Sequence, residues 1–315
     1  MKALIVGGSG FVGGYLAQDL KKVGWSVAMT MLSSEKAPEG HDVYPLNILE
    51  QAQIADILRC LCPDVIFHLA AQSSVGLSWK NPALTVDVNI KGAVNLLEAV
   101  REIPDYQPRI LLIGSGEEYG YVLPEEVPVS ENIKVRPGNL YAATKVAQNL
   151  IGNIYAKAYG MPIVMVRAFN HIGAGQKTGF VVADFCKQVA EVEAGLREPV
   201  IQVGNLSARR DFTDVRDVVR AYRLLAEKGK SGETYNVGSG HAVGIDELLA
   251  QILSLSEAKI RVEVDAKRLR PIDIPVIEAD IAKLKGHTGW KPEIPLRETL
   301  QWTLQFWRKN PEIFR

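Results

Sequence analysis

The chain has 315 residues, and its 36 Lys and Arg residues balance 36 Asp and Glu residues, so the formal net charge is zero. This balance excludes a global electrostatic field that would attract nucleic acid or an anionic membrane. Any anion that the protein binds must therefore be held by local donors. A chain of this length is long enough to bury a large core.

Targeting and metal signals are absent from the sequence. The N-terminal apolar run Met1–Gly7 is too short for a signal peptide, and no stretch approaches the ~20 apolar residues of a membrane span. We therefore expect a cytoplasmic protein without a membrane partner. Cys60, Cys62 and Cys186 are odd in number and lack the spacing of zinc or redox sites, which predicts buried free thiols and no metal.

Short apolar or β-branched runs alternate with helix-like stretches along the first two thirds of the chain. The predicted strands are Ala3–Val6, Ser26–Met29, Val65–His68, Ile110–Ile113, Ile163–Val166 and Tyr235–Val237. The predicted helices between them are Gly10–Val23, Pro82–Ile103 and Tyr141–Tyr159. This alternation predicts an α/β fold of Rossmann type, a doubly wound parallel sheet with helices on both faces.

A glycine-rich turn follows the first predicted strand and opens the first helix. In the spacing Gly7-x-x-Gly10-x-x-Gly13, the first glycine permits a tight turn, the second lets the backbone approach a pyrophosphate, and the third allows close helix packing. The helix N-terminus adds N–H groups and a partial positive charge. The pattern predicts a dinucleotide site that includes Phe11 and Val12; an ordinary glycine turn is the alternative.

The region after the second predicted strand indicates which dinucleotide is used. An NAD-specific site would place an acid there to hold the ribose 2′-hydroxyl. No carboxylate precedes Glu35, whereas Ser33, Ser34 and Lys36 can donate hydrogen bonds to a 2′-phosphate. The sequence therefore favours NADP(H). NAD(H) remains possible, because no arginine fork is present and these side chains can equally be ordinary loop residues.

A serine, a tyrosine and a lysine form the candidate catalytic group. Tyr141 and Lys145 lie one turn apart on one face of a predicted helix. A phenol with the usual pKa of about 10 exchanges protons poorly near neutral pH, and we expect the adjacent ammonium to lower the pKa of Tyr141. Ser115, after the strand Ile110–Ile113, can hydrogen-bond the oxygen of a carbonyl group whose carbon accepts hydride. Without the other motifs, the tyrosine and lysine would indicate only a solvated helix face.

Together these motifs resemble those of the extended short-chain dehydrogenase/reductase family over essentially the whole chain. Beyond the glycine loop, the matching motifs are His68-Leu69-Ala70-Ala71, Asn89, Ser115, Tyr141-x-x-x-Lys145 and Arg167-x-Phe169-Asn170. The resemblance implies that the serine, tyrosine and lysine are catalytic and that the loop after the fourth strand flanks the cofactor. Further candidate cofactor contacts are Asn47, Ile48, Leu69, Ala70, Ala71, Lys145 and Ala168. His68 is interpreted as a packed strand-end residue.

A more specific resemblance is to family members that act on GDP-linked 6-deoxyhexoses. Arg167–His171 and Gly204–Phe212 are similar to the segments that hold the nucleotide sugar in those enzymes. A diphosphate in a neutral protein needs local donors, and guanidinium groups match phosphate oxygens. The implied substrate contacts are Gln72, Ser73, Ser74, Ser115, Glu117, Tyr141, Asn170, Asn205, Arg209, Arg210 and Arg270. One of the two adjacent arginines is expected to face phosphate while the other pairs with Asp211 or Asp214.

Gly116 separates two possible reactions. Sugar 4,6-dehydration needs a base and usually a proton donor, and related dehydratases carry Asp-Glu or Ser-Glu after the catalytic hydroxyl residue. This chain has Gly116-Glu117, which resembles the reductase pattern. We therefore expect NAD(P)H-dependent reduction of the C4 ketone of GDP-4-keto-6-deoxy-D-mannose to GDP-D-rhamnose. The alternatives are GDP-mannose 4,6-dehydration, another nucleotide-sugar epimerase or reductase activity, and an NADP-binding sensor without chemistry.

The remaining expectations concern organisation. We expect residues 1–168 plus about 212–240 to form the NADP-binding domain, and about 169–211 plus 241–315 to form a smaller nucleotide-sugar-binding lobe. That lobe is expected to contain a helix near Val181–Ala194 and a strand at Val200–Val203. The resemblance implies a homodimer in which the predicted helices 82–103 and 141–159 form a four-helix bundle.

Overall fold

A computed structural model describes residues 1–35, 40–268 and 274–314 of the chain. The first half contains β1 Lys2–Val6, α1 Phe11–Lys22, β2 Ser26–Met31, β3 Asp42–Pro45, α2 Gln51–Leu61, β4 Val65–His68, α3 Val75–Lys80, α4 Pro82–Val86, α5 Gly92–Arg101, β5 Arg109–Ser115 and α6 Leu140–Tyr159. The second half contains β6 Ile163–Ala168, β7 Asn170–Ile172, α7 Val181–Glu193, β8 Val200–Val203, β9 Arg209–Asp214, α8 Val215–Lys228, β10 Thr234–Val237, β11 Ala242–Gly244, α9 Ile245–Leu253, β12 Arg261–Val264, β13 Val276–Ile277, α10 Ala282–Thr288 and α11 Leu296–Lys309.

The central layer is a seven-stranded sheet in the order β3-β2-β1-β4-β5-β6-β10, and all of its strands are parallel. The six predicted strands all belong to it, so the predicted fold class is confirmed. The sequence analysis missed α2 and the edge strand β3. The four residues of β3 end in Pro45 and include no fully buried side chain, so the segment is a strand chiefly because it pairs with β2.

The sheet is covered on both faces, as a doubly wound fold requires. In β1, Ala3 and Ile5 pack into a core formed with α1 and α8, whereas Leu4 and Val6 pack into a second core formed with α2 and α5. Successive side chains of a strand point to opposite faces, so a strand buried on both sides is a continuous apolar run. This burial explains why the strands were recognisable from the sequence.

The predicted long helices are largely confirmed, with one interruption. The predicted helix 82–103 consists of α4, a π-helical turn at Asp87–Lys91, and α5. Helix α6 is continuous over 20 residues and ends at Gly160, whose φ is +65°. Gly24 also has a positive φ of +81° just after α1. Both glycines therefore occupy helix-terminating positions that favour residues without a side chain.

The second half of the chain adds smaller sheets at the carboxyl end of the large one. Strand β9 is paired with β11, β13 and β7, while β8 pairs with β12. The predicted helix and strand of this region are confirmed as α7 and β8. The division into two domains stays a prediction. The expected boundary near residue 212 falls inside β9, and Leu284 and Trp290 pack into the large sheet's core.

Three smaller observations complete the fold. Cys186 is buried as expected, but Cys60 and Cys62 are exposed, so the prediction of buried thiols is wrong for those two. Cys60 lies in the last turn of α2, and Cys62 is the residue that caps its C-terminus. Within the described ranges, no helix is long and apolar enough to cross a bilayer, and no group of three or more potential metal ligands is found.

Candidate active site

The glycine-rich loop lies at the carboxyl end of β1, where α1 begins. Gly7 has a φ of +83°, and a Cβ placed on it would lie 2.6 Å from the backbone of Ala70 in the loop after β4. A Cβ on Gly13 would lie 2.1 Å from the carbonyl oxygen of Gly8. Neither position has space for a side chain, so the loop stays close against α1 and leaves the helix N-terminus open to an anion.

The predicted ribose end of this site contains the carboxylate of Glu35. From the sequence, this residue lay too far beyond the second strand to be expected at the ribose. Glu35 Oε2 accepts hydrogen bonds from Ser9 Oγ at 2.5 Å and from Leu32 N at 3.2 Å. The carboxylate therefore turns back onto the glycine-rich loop. Ser33 and Ser34 are exposed beside it, and Lys36 lies outside the described residues.

The predicted catalytic side chains come together at the carboxyl ends of β4, β5 and β6. Ser115 ends β5, while Tyr141 and Lys145 lie in the first turns of α6, which packs on β5 and β6. All three residues are at most 9% exposed. Ligands of open parallel sheets bind at this edge, so the site is where the fold predicts it. That these residues are catalytic stays a prediction.

The electrostatics of Tyr141 differ from what the sequence predicted. Burial raises the pKa of the phenol, the charges of Glu117 and Glu118 raise it further, and the neighbouring Ser115 hydroxyl lowers it. The expected net lowering by Lys145 is wrong for this arrangement. The Lys145 ammonium instead donates to the Ile113 carbonyl oxygen at 2.8 Å and to Gln148 Oε1 at 2.9 Å.

Burial also changes the pKa of Lys145. Burial lowers its pKa to about 8, and the negative charge of Glu118 opposes this fall. His68, at the end of β4, is fully buried, and neither ring nitrogen has a partner among the described residues. Burial and the nearby Lys145 lower the pKa of His68 to about 3, so the ring is neutral. This agrees with its interpretation as a packed strand-end residue.

Glu117 lies on the 3₁₀ turn that follows Ser115 and is connected to α6 through Asn139. Asn139 Oδ1 accepts from Ala142 N at 2.8 Å and so caps α6, while its Nδ2 donates to Glu117 Oε2 at 3.1 Å. One side chain thus holds both the start of the Tyr141 helix and the carboxylate at the candidate base position. The sequence analysis missed Asn139, although an asparagine just before a predicted helix is a capping signal.

The loop after β4 is held to α6 by a buried asparagine. Asn89 Oδ1 accepts from Gln72 N at 2.8 Å, and Asn89 Nδ2 donates to Thr144 Oγ1 at 2.9 Å. The Gln72 amide bonds within its own region, to Thr85 Oγ1 and to the backbone of Ser74. Contact between Gln72 and a sugar stays a prediction. Ser73 and Ser74 are exposed at the same loop.

The remaining predicted cofactor contacts surround the glycine-rich loop at different depths. Ile48 is buried and its carbonyl oxygen accepts from Asn95 Nδ2, whereas Asn47 is exposed. Ala168 is buried at the end of β6. Phe11, Val12, Leu69, Ala70 and Ala71 are partly buried around the loop.

The predicted substrate arginines lie on β9 and have protein partners. Arg209 Nη1 pairs with Glu247 Oε1 at 3.0 Å, and Arg210 Nη1 donates to the Ile274 carbonyl oxygen at 2.6 Å. We expected one of these arginines to pair with Asp211 or Asp214, but the described residues give both aspartates other partners. Asp211 accepts from the 238–240 turn and from Ala279, and Asp214 pairs with Arg216 and Thr299.

The other predicted substrate contacts lie on both sides of these arginines. Asn170 is half-buried at the start of β7, and Asn205 is exposed in the loop before β9. Arg270 lies outside the described residues. Whether these side chains bind a nucleotide sugar stays a prediction.

A doubly wound parallel sheet with a glycine-rich loop after β1 and a buried serine, tyrosine and lysine at its carboxyl edge is the architecture of the extended short-chain dehydrogenases/reductases. A family model described as GDP-mannose 4,6 dehydratase matches residues 4–303. The chain therefore belongs to this family of nucleotide-sugar enzymes.

Individual relatives cover the whole chain but differ in activity. The chain is 33% identical to the GDP-6-deoxy-D-mannose reductase of Pseudomonas aeruginosa, over 98% of both chains. It is 28% identical to a GDP-mannose 4,6-dehydratase of Yersinia enterocolitica, over 94% of this chain and 91% of the relative. Reductases, dehydratases and epimerases all occur among its relatives. Sequence similarity therefore identifies the chain as a nucleotide-sugar enzyme but does not identify its reaction.

Two solved structures share the fold of this chain. The structure of RMD from Pseudomonas aeruginosa, complexed with NADPH, superimposes with a TM-score of 0.88 at 32% identity and covers 98% of this chain and 100% of that one. The UDP-glucose 4-epimerase of Thermus thermophilus, in complex with NAD, gives a TM-score of 0.86 at 28% identity, with 98% and 99% covered. The fold therefore accommodates either dinucleotide in relatives of this chain.

Proposed function

We propose that this enzyme reduces the C4 ketone of GDP-4-keto-6-deoxy-D-mannose to GDP-D-rhamnose, with NADPH as the preferred hydride donor and NADH as a second one. The carrying observation is Gly116, which follows the catalytic Ser115 and precedes Glu117. Expulsion of the C6 hydroxyl would need a proton donor that this position does not supply, whereas reduction of a ketone does not need it. The similarity to a GDP-6-deoxy-D-mannose reductase supports this choice.

The packing around Gly116 supports the same reading. The residue is buried, and a Cβ placed on it would lie 3.1 Å from Cγ of the Phe169 ring. A side chain of any kind at position 116 would therefore require the ring to shift. The packing of the Phe169 ring therefore favours glycine at position 116.

The residues of the glycine-rich loop fit a dinucleotide. Gly7, Gly10 and Gly13 bring backbone to the N-terminus of α1, where N–H groups point at a pyrophosphate. When bound, the cofactor supplies a hydride. Ser33 and Ser34 are exposed at the ribose end, where they can donate to a 2′-phosphate.

The chain's own groups then carry the proton chemistry. The Ser115 hydroxyl hydrogen-bonds the C4 oxygen and orients the ketone. As hydride adds to C4, the Tyr141 phenol donates its proton to that oxygen, so the carbonyl becomes a secondary alcohol. The Lys145 ammonium, one turn along the same helix and bonded to the Ile113 carbonyl oxygen and to Gln148, supplies the buried positive charge of the site. Glu117 accepts a hydrogen bond from a sugar hydroxyl.

Substitution of Tyr141 by phenylalanine tests this mechanism. We expect kcat for the 4-keto sugar to fall about 10³-fold, since the proton donor is lost while the ring remains. NADPH affinity, measured by fluorescence titration, should stay near that of the wild type. Unchanged turnover in the variant would contradict the proposed role. NMR of the product distinguishes GDP-rhamnose from its 6-deoxy-talose epimer.

A second candidate is GDP-mannose 4,6-dehydration, which Glu117 favours. Its carboxylate sits at the candidate base position, held by Asn139 at 3.1 Å and close enough to affect the pKa of Tyr141. Incubation of the enzyme with GDP-mannose and NADP⁺, without added reductant, separates the two reactions. Accumulation of a 4-keto product would favour dehydration over our proposal.

We also infer a homodimer formed through α4, α5 and α6. Leu150 and Ile154 on α6 are each 59% exposed, and Leu84 and Val86 on α4 are each 39% exposed. An apolar strip on neighbouring helices is typical of a protein–protein interface. A second copy of the chain is the partner that we propose.

A further inference from the structure

Glu118 is a buried carboxylate beside the candidate active site that the proposed reaction does not use. It lies on the 3₁₀ turn after β5 and is 0% exposed. Its Oε1 accepts from Ser115 N at 2.9 Å, and its Oε2 accepts from Arg167 Nε at 3.0 Å. Asn149 Nδ2 lies 2.7 and 2.9 Å from the two oxygens. All these partners are donors, which is the environment of an ionised carboxylate.

The backbone makes room for this carboxylate. A Cβ placed on Gly114 would lie 2.2 Å from Glu118 Oε1 and 2.4 Å from Asn149 Nδ2. Glycine inside a strand weakens it, so its presence in β5 has a local reason. The space that a side chain at position 114 would fill is occupied by the Glu118 carboxylate and the Asn149 amide.

The partners of Glu118 connect the elements that carry the candidate catalytic residues. Ser115 ends β5, Arg167 lies in the adjacent strand β6, and Asn149 lies one turn after Lys145 on α6. A single carboxylate therefore joins both strands to the helix. Loss of the bond to Ser115 N or of the bonds to Asn149 would remove this link between Ser115 and α6.

The electrostatic environment points the same way. The charge of Glu118 raises the pKa of Lys145 against the effect of burial. The other titratable groups around the two residues are Glu117 on the same turn, Arg167 on β6, Tyr141 on α6 and His68 on β4. Burial raises the pKa of Glu118, and Arg167 with the other donors opposes that rise.

We propose that Glu118 is a positioning residue that holds Ser115 in register with α6 and, through its bonds to Asn149 one turn after Lys145, serves as a buried counter-ion of that lysine without touching it. The proposal rests on the proposed function, because that function makes Ser115 and Lys145 catalytic. It adds a residue that touches neither substrate nor cofactor but sets the geometry and charge of those that do.

Two variants test the proposal. Glu118→Gln keeps the shape and an acceptor for Ser115 N but removes the charge. The double variant E118Q/R167Q also removes the arginine whose charge would otherwise be left in the interior without a counter-ion, so a folded protein is available even if the single variant is unstable. Glu193→Gln is the control for removal of a paired carboxylate, because Glu193 forms a more exposed pair with Arg308 away from the site.

The readout is an NMR titration of ¹³C-labelled lysine side chains, with the Lys145 signal identified by its absence in Lys145→Met. We expect the pKa of Lys145 to fall by about one unit in Glu118→Gln, and by less in the double variant, because loss of the Arg167 charge opposes the fall. The basic limb of the kcat profile should move to lower pH in parallel, and the Glu193→Gln control should match the wild type. A merely structural role would lower stability without moving either titration.

The titration needs no substrate, so it is independent of the proposed reaction. A wild-type protein that fails to reduce the 4-keto sugar, but whose Lys145 responds to Glu118→Gln, would refute the proposed function and leave the counter-ion role in place. An active reductase whose Lys145 titrates alike in wild type and both variants would overturn the role of Glu118.

Discussion

Glu35 places a negative charge next to the glycine-rich loop through its hydrogen bond with Ser9. A 2′-phosphate bound near Ser33 and Ser34 would approach this carboxylate, and like charges at short range repel. The carboxylate can instead accept a hydrogen bond from a ribose 2′-hydroxyl. We therefore regard Glu35 as the reason why NADH remains usable by a chain whose serines favour NADPH.

Substitution of Glu35 by glutamine should shift this balance. We expect the ratio of kcat/KM for NADPH to that for NADH to rise about tenfold at low salt, since the repelling charge is lost while the side-chain length is kept. Steady-state kinetics with each dinucleotide measure the ratio. Asp56→Asn removes an exposed charge from α2 and should leave the ratio unchanged. A ratio equal to that of the wild type in Glu35→Gln would contradict this assignment.

At the scale of single elements, the conformation of the glycine-rich loop depends on the absence of a side chain at one position at the start of α1. Gly13 and Gly14 are neighbours in the same helix turn, but only Gly13 faces the loop backbone. A Cβ on Gly14 would meet no atom within 4 Å. The two positions therefore separate the effect of loop geometry from that of helix propensity.

Alanine at each position should give opposite results. Gly13→Ala forces the Gly8 carbonyl away from the helix, and we expect NADPH affinity to fall at least about tenfold. Gly14→Ala should keep that affinity and raise the free energy of unfolding by up to about 1 kcal/mol, because alanine favours the helix. Fluorescence titration and urea denaturation measure the two quantities. Equal affinities in both variants would refute the packing argument.

The N-cap of α6 allows a second comparison between matched residues. Asn139 caps α6 and holds Glu117, whereas Asn81 caps α4 through the same kind of bond to Leu84 N. Alanine at either position should cost about 1 kcal/mol of stability. Only Asn139→Ala should also lower kcat/KM for the sugar, by about tenfold. Similar kinetics in the two variants would show that the bond to Glu117 has no catalytic consequence.

At the scale of the whole molecule, aromatic contacts join the glycine-rich loop to the second half of the chain. Phe11 stacks on His171 with ring centroids 6.3 Å apart, and Tyr15 OH donates to the Ala174 carbonyl oxygen at 2.6 Å. The dinucleotide loop is therefore braced by the segment that carries predicted substrate contacts. On the opposite side, α4 and α6 leave apolar side chains exposed, which is where a second copy is proposed to bind.

A charge on α6 should prevent that association. Ile154→Glu places a carboxylate within the proposed interface, where it would be buried without a partner, and by symmetry this happens twice. We expect sedimentation velocity to show a dimer for the wild type and a monomer for the variant. Leu196→Glu changes an equally apolar residue, 66% exposed and outside α4 and α6, and should stay dimeric. A monomeric wild type would refute the proposed dimer.

The parts of this protein that could be read from its sequence are those specified within a few residues of each other. The strands of the central sheet are short apolar runs, the glycine spacing surrounds one helix start, and Tyr141 and Lys145 are separated by one turn. These features can be recognised because each leaves a regular pattern in the sequence. A strand buried on both faces is a continuous apolar run, and two residues on one helix face are spaced by one turn.

Contacts between residues far apart in the chain could not be predicted, because they depend on which strands and loops become neighbours in the fold. Glu118 and Arg167 are 49 residues apart and meet because β5 and β6 lie side by side. Ser9 and Glu35 are 26 residues apart and meet because the loop after β2 turns back toward β1. Neither partner has a local pattern that identifies the other. A charged side chain finds its partner only when the backbone is in place, so the pKa of Lys145 and the surroundings of the ribose site were decided by tertiary packing.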